Sequence, residues 1–287
     1  MAWAAVLLGG ACAAAGQPVD TLQGSHLRPG RAWLVTGGAA AFTAGSLIGL
    51  NEAWYQGHAR TSFHFFDDGG EWLEVDKLGH ANSAYQLGRA GHAVFRWAGF
   101  NKGVSTWLGG SVGLIYLSGI EYLDGHSSAY GFSAWDMAAN TAGTALFIGQ
   151  ELGWRDQRIL LKWSTHLTEY APQRPDVLGS TVPERLLKDY NGTTVWLSAN
   201  PHAFGWKCLP PWLNIAAGMG AEGMVKGSGN PGTYQQFYLA PDIAFSRIPV
   251  RSKALRTFLF LLDALKMPAP AVEFRSNGPV VGHWLFF

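Results

Sequence analysis

The hydropathy of this chain changes period near Trp154, and that change restricts its architecture more than any single motif does. Before Trp154 the apolar segments are long and read as helices. After it they are short and alternate as strands do. The helical part predicts four segments. The first runs from about Ala32 to Trp54 and is nearly charge-free through Leu50. Asp76 opens the second, which extends to Trp97 with its acid near the positive end of the helix dipole. The third spans about Val104 to Leu123, carries Gly109, Gly110 and Gly113, and turns acidic at Glu121. Ser133 can cap a fourth, from Ala134 to about Leu152, with Asp136 in its first turn. Each approaches the roughly 20 residues that cross a bilayer. Arg89, His92 and Arg96 would be costly against lipid, so buried helices of a bundle remain the competing reading.

Beyond Trp154, Leu161, Trp163, Thr165 and Leu167 alternate with Lys162, Ser164, His166 and Thr168. Further strands are expected over Thr193–Asn200, Trp212–Ala221, Gln235–Arg247 and Val280–Phe287, with a helix from Ser252 to Lys266. Pro241 lacks a ladder donor and predicts an edge, bulge or break. The fold class expected is α+β: a helical core of about four apolar helices over 30–154, then an antiparallel β region over 155–287 with one helix. A sheet packed on the helices is favoured over a complete barrel, whose smallest common form has about eight strands. Either arrangement is compatible with membrane embedding.

Composition supports a membrane setting. Charged residues are 14% of the 287 residues, against roughly 25% in ordinary soluble proteins. The 13 tryptophans fit the aromatic belts of membrane interfaces. A formal charge of +1 and the lack of a basic patch set nucleic acid aside as a partner. Residues 1–16 are small and apolar, and Ala11-Cys12-Ala13-Ala14-Ala15 resembles the end of a secretion signal. Cys12 offers a lipid-attachment site, although Gly9-Gly10-Ala11 matches such a site poorly. The expected location is the cell envelope, at the outer membrane facing the periplasm, with the inner membrane as alternative. Expected partners are membrane lipid, an envelope protein or a glycan.

The polar residues inside the apolar half carry the functional signal. Asp76 and His80 stand four apart on one helix face, with Lys77 beside them, and Asp136 and Asn140 repeat that spacing. Glu121 and Asp124 lie near the end of the intervening segment. Folding these elements together would gather Asp76, Lys77, His80, Glu121, Asp124, Asp136 and Asn140 into one polar cluster. Burying them unsatisfied would cost several kcal/mol each. Three uses stay open: a network that fixes helix register, a site for a polar lipid or glycan headgroup, or a catalytic or metal site. As a catalytic set, His80 is the base, Asp76 its orienter and Asp136 a further acid, in a membrane-associated hydrolase acting on a lipid-linked or glycan substrate. As a metal site, two carboxylates and an imidazole suit a divalent cation, and no other cofactor is indicated. The stretch Lys188-Asp189-Tyr190-Asn191-Gly192 reads as a turn before a strand, pinned by a Lys188–Asp189 pair. No phosphate-binding glycine loop, cysteine metal cluster or serine elbow occurs in the sequence.

The chain resembles the YfiM-type envelope family in its long, Bacteroidetes-like form. The resemblance is carried by Phe63-His64-Phe65-Phe66-Asp67-Asp68, Glu71-Trp72, Asp76-Lys77-Leu78-Gly79-His80, Glu121, Asp124-Gly125, and Ser133 with Asp136. It continues through Asn140-Thr141-Ala142-Gly143, Lys188-Asp189-Tyr190-Asn191-Gly192, Trp212-Leu213-Asn214 and Gly220-Ala221-Glu222-Gly223-Met224. The short YfiM-like lipoproteins share the helical part, where Asp76, Lys77, His80, Glu121 and Asp136 match. A looser similarity links the same residues to VanZ-like membrane proteins. The resemblance implies an envelope protein with a structural or ligand-recognition role at the polar cluster.

Overall fold

The computed structural model describes residues 26–55 and 58–286, so the signal-like start with Cys12, and the terminal Phe287, lie outside the described residues. The chain forms two compact units, and the boundary falls inside one helix, after Asn82.

One unit comprises the described residues up to Gly69 together with Ser83–Arg155, and it is mainly helical. Helix α1 (Pro29–Tyr55) begins with a proline whose fixed φ suits the first helical position. Among the described residues it supplies the only span, Pro29–Glu52, long and apolar enough to cross a membrane, and most of that span is exposed. Helix α2 (Val75–Ala98) enters this unit at Ser83. The third expected helix is interrupted: a turn at Lys102–Val104 leads into a π-helical turn, Ser105–Gly109, before α3 (Val112–Asp124). A π turn widens the helix locally. It does so where Gly109 meets α2. A Cβ on Gly91 would stand 2.2 Å from the Gly109 carbonyl oxygen, and one on Gly113 would stand 2.3 Å from that of Ala84. The glycines that weaken this helix in isolation let its backbone approach α2. Helix α4 (Ala134–Gly153) starts as expected, with the Ser133 hydroxyl accepting from the Asp136 N–H. Two short parallel strands, β1 (Phe65–Phe66) and β2 (Phe132–Ser133), tie the preceding loop to that cap.

The other unit comprises Gly70–Asn82 and the chain from Asp156 onward. Its six-stranded sheet follows chain order, with every neighbouring pair antiparallel: β3 (Ile159–Thr165), β4 (Thr193–Ala199), β5 (Leu213–Glu222), β6 (Tyr234–Ile243), β7 (Ala269–Arg275) and β8 (Val280–Phe286). Helix α5 (Val182–Lys188) lies between β3 and β4, and α6 (Lys253–Leu262) between β6 and β7. Strand β7 has no counterpart in the expected elements, because Pro268 and Pro270 mask its alternation. Pro241 is accommodated inside β6, opposite Ile215 of β5. The β6–β7 ladder stops at Leu239, so the missing donor falls past its end.

One face of the sheet buries polar and aromatic side chains while the other exposes apolar ones. In β6 the buried positions are Gln236, Tyr238, Ala240 and Asp242, while Phe237, Leu239 and Pro241 are exposed. The buried face continues through Lys162, Trp196, Ser198, Asn214 and Glu273. The sheet rolls around this face: the ring of Phe286 on β8 stacks on Tyr238 at 4.2 Å and lies 6.0 Å from that of His166, just past β3. Leu265 bridges Trp163 of β3.

Candidate functional site

The residues expected to form one cluster divide between the two units, and each group has its own architecture. In the first group, α2 begins after a left-handed turn: Trp72, Leu73 and Glu74 have φ of 52°, 48° and 69°. Such backbone costs roughly 1–2 kcal/mol per non-glycine residue, so surrounding contacts must impose it. Those contacts come from the sheet end. The Trp72 N–H donates to the Gly227 carbonyl at 2.7 Å, and Trp72 packs on Tyr190 with ring centroids 5.1 Å apart. Val75 is buried with Ala221 and Met224.

This anchored turn sets Asp76 at the start of α2. Lys77 Nζ lies 3.0 Å from Asp76 Oδ2, the Tyr190 hydroxyl donates to Oδ1, and His80 Nε2 stands 4.0 Å from Oδ1. Burial pushes the Asp76 carboxyl upward, but His80, Lys77 and the Tyr190 hydroxyl outweigh it and hold the group below the usual carboxylate range. Asp76 is therefore an ionised, oriented carboxylate at neutral pH. The His80–Asp76 distance is too long for the hydrogen bond by which a base is oriented.

Tyr190 is the member that sequence reasoning missed. It lies 114 residues from Asp76 in the chain. The only signal was the dense polar stretch around it, which reads as a turn. That turn is pinned through Asn191 and Thr168. Asp189 accepts the Asn191 N–H at 3.0 Å and the Thr168 hydroxyl, while the Asn191 amide exchanges two 2.7 Å hydrogen bonds with the Met224 backbone.

The second group is built on Ser133. Its hydroxyl caps α4 and donates to Asp68 Oδ1 at 2.5 Å, and its N–H donates to Glu121 Oε2 at 3.1 Å. Glu121 and Asp136 are both buried and share this serine as neighbour. Asn140 lies one turn farther along α4 and is fully buried. Asp124 ends α3, where its backbone carbonyl accepts the Ser127 N–H. Asp68 was visible in the sequence only as part of an acidic pair. Its role depends on β1 pairing with β2 across more than 60 residues.

Asp76 and His80, one helical turn apart on α2, offer a carboxylate and an imidazole, ligand types that a divalent ion takes. That pair suits zinc better than calcium, which prefers oxygen alone.

Residues 64–148 match a protein family described as "Predicted periplasmic lipoprotein (DUF2279)". The matched stretch contains Asp68, Asp76, His80, Glu121, Ser133, Asp136 and Asn140, and excludes the six-stranded sheet. No curated protein and no solved structure matches the chain. This is an envelope-associated protein. Its α+β architecture, with several helices and one antiparallel sheet, agrees with the expected class.

Proposed function

We propose that this is an envelope ligand-recognition protein that holds a divalent cation through Asp76 and His80, at the outer membrane and facing the periplasm. The observation that carries the reading is the preparation of Asp76. A strained left-handed turn places it, Lys77 and His80 favour its charge, and Tyr190 fixes one of its oxygens. Metal ligands are oriented by such outer partners, and removing one typically weakens binding about 10–100-fold. A carboxylate has about four lone-pair positions, so Asp76 can keep Lys77 and Tyr190 while offering one to an ion. The resemblance to the YfiM-type family, and more loosely to VanZ-like proteins, rests on these same residues and supports an envelope role centred on them.

Calorimetric titration of chelator-treated full-length protein with zinc and manganese ions tests this. Wild type is expected to bind one ion per chain. Tyr190→Phe, which keeps the ring on Trp72, should weaken binding by about tenfold. His80→Ala should abolish it and leave the ion-free unfolding midpoint nearly unchanged. If wild type binds neither ion, while His80→Ala alone costs about 1–3 kcal/mol, the cluster is a structural network and the reading fails.

A further inference from the structure

We propose that the outward face of the rolled sheet, across β4 to β8, seats against the acyl chains of a bilayer. This deepens the outer-membrane placement above and is independent of the cation. Three observations support it. First, the face carries no charge where it is exposed: Leu197, Ile215, Phe237, Leu239, Val272 and Phe274 are each at least two-fifths exposed, and Trp284 is 93% exposed. Second, the charges of these strands are turned inward. Asp242 is buried and ion-paired at 2.9 Å with Lys162 of β3, and Glu273 is buried against Arg275 and His283. A protein in water places its polar side outward, whereas a sheet in lipid turns it to the interior. Third, β5 and β6 are 10 residues long, within the roughly 9–11 residues of a tilted bilayer-spanning strand.

The occupant follows from this chemistry. A groove of about 670 Å³ is lined by Ile215, Leu239, Pro241, Val272, His283 and Trp284. Its hydrogen-bonding side chains are the Trp284 indole and the His283 ring, whose Nε2 already lies 2.7 Å from Glu273 Oε2, so a polar headgroup or a charged protein surface would find little to pair with. Hydrocarbon requires no pairing. At the β4–β5 end of the sheet, Phe204, Trp206 and Trp212 are also exposed. Aromatic side chains of this kind favour the boundary between hydrocarbon and headgroups.

The test uses full-length protein with Cys12 and Cys208 changed to serine, reconstituted in phosphatidylcholine vesicles with or without acyl-chain bromination. An environment-sensitive nitrobenzoxadiazole label is placed through Leu239→Cys, Phe274→Cys or, as a control, Gln173→Cys at the exposed end of a short 3-10 turn. Labels at 239 and 274 should be blue-shifted and lose fluorescence several-fold in brominated vesicles, while the label at 173 responds only to aqueous iodide. Quenching of all three by iodide overturns the proposal. A blue shift at 239 and 274 without bromine quenching also overturns it and assigns the face to a second protein chain. Because α1 could anchor the chain by itself, vesicle binding alone does not count as support. Cation affinity, measured on the same preparations, fails or survives separately.

Discussion

Asp242→Ala is expected to lower the unfolding free energy by about 3–5 kcal/mol, one of the two largest losses foreseen for a single substitution. Asp242 sits among buried charges. Lys162 Nζ lies 2.9 Å from Oδ2 and Lys266 Nζ 3.8 Å from Oδ1, while the Ser198 hydroxyl donates to Oδ2 at 2.6 Å. Asp263 is the second acid, 3.9 Å from Lys162, and it also accepts the N–H groups of Phe245 and Ser246 at 2.6 and 3.1 Å. Two ammonium groups thus face two carboxylates. Removing one acid leaves two buried cations opposed by one anion. Adding Lys266→Met to Asp242→Ala should recover a large part of the loss, because the charge balance returns. Denaturant unfolding of the two variants checks this; a loss below about 1 kcal/mol for Asp242→Ala would show that water or another anion reaches the network.

Gly91→Val should cost about 3 kcal/mol or more, or prevent folding. The added Cβ would stand 2.2 Å from the Gly109 carbonyl oxygen, and the obstruction is backbone, which no rotamer change can clear. Gly109 in turn sits in the π turn, so relief would require α2 and α3 to separate. The contrast is Gly149→Ala on α4, where a Cβ meets nothing within 4 Å. That change should stabilise by about 0.5–1 kcal/mol through helix propensity alone. Thermal unfolding of the pair separates close packing from propensity. Equal effects of the two substitutions would contradict the tight α2–α3 contact.

The helical segments were legible because apolar runs, Ser133 as a cap and the acids at Asp76 and Asp136 are local signals. The π turn was not, because it answers a contact between Gly91 and Gly109 that no single segment reveals. Strand period was equally local, and five of the six strands followed it. Which face is wet was hidden: alternation is the same whether Lys162 points to water or, as here, is fully buried against Asp242. Strand β7 was lost to its flanking prolines. At the candidate site, the Asp76–His80 spacing declared itself, since four residues make one helical turn. Tyr190 and Asp68 did not, because each reaches its partner through long-range strand or loop placement rather than through spacing.

The central claim is that Asp76 and His80 hold a divalent cation in the envelope, and metal content tests it most directly. The measurement is elemental mass spectrometry on full-length protein extracted from the membranes of its producer without chelator. It should show one divalent transition-metal ion per chain in the wild type and none in a folded variant carrying Asp76→Asn and His80→Ala. A folded wild-type protein that carries no such ion, or a double variant that retains as much as the wild type, would contradict it.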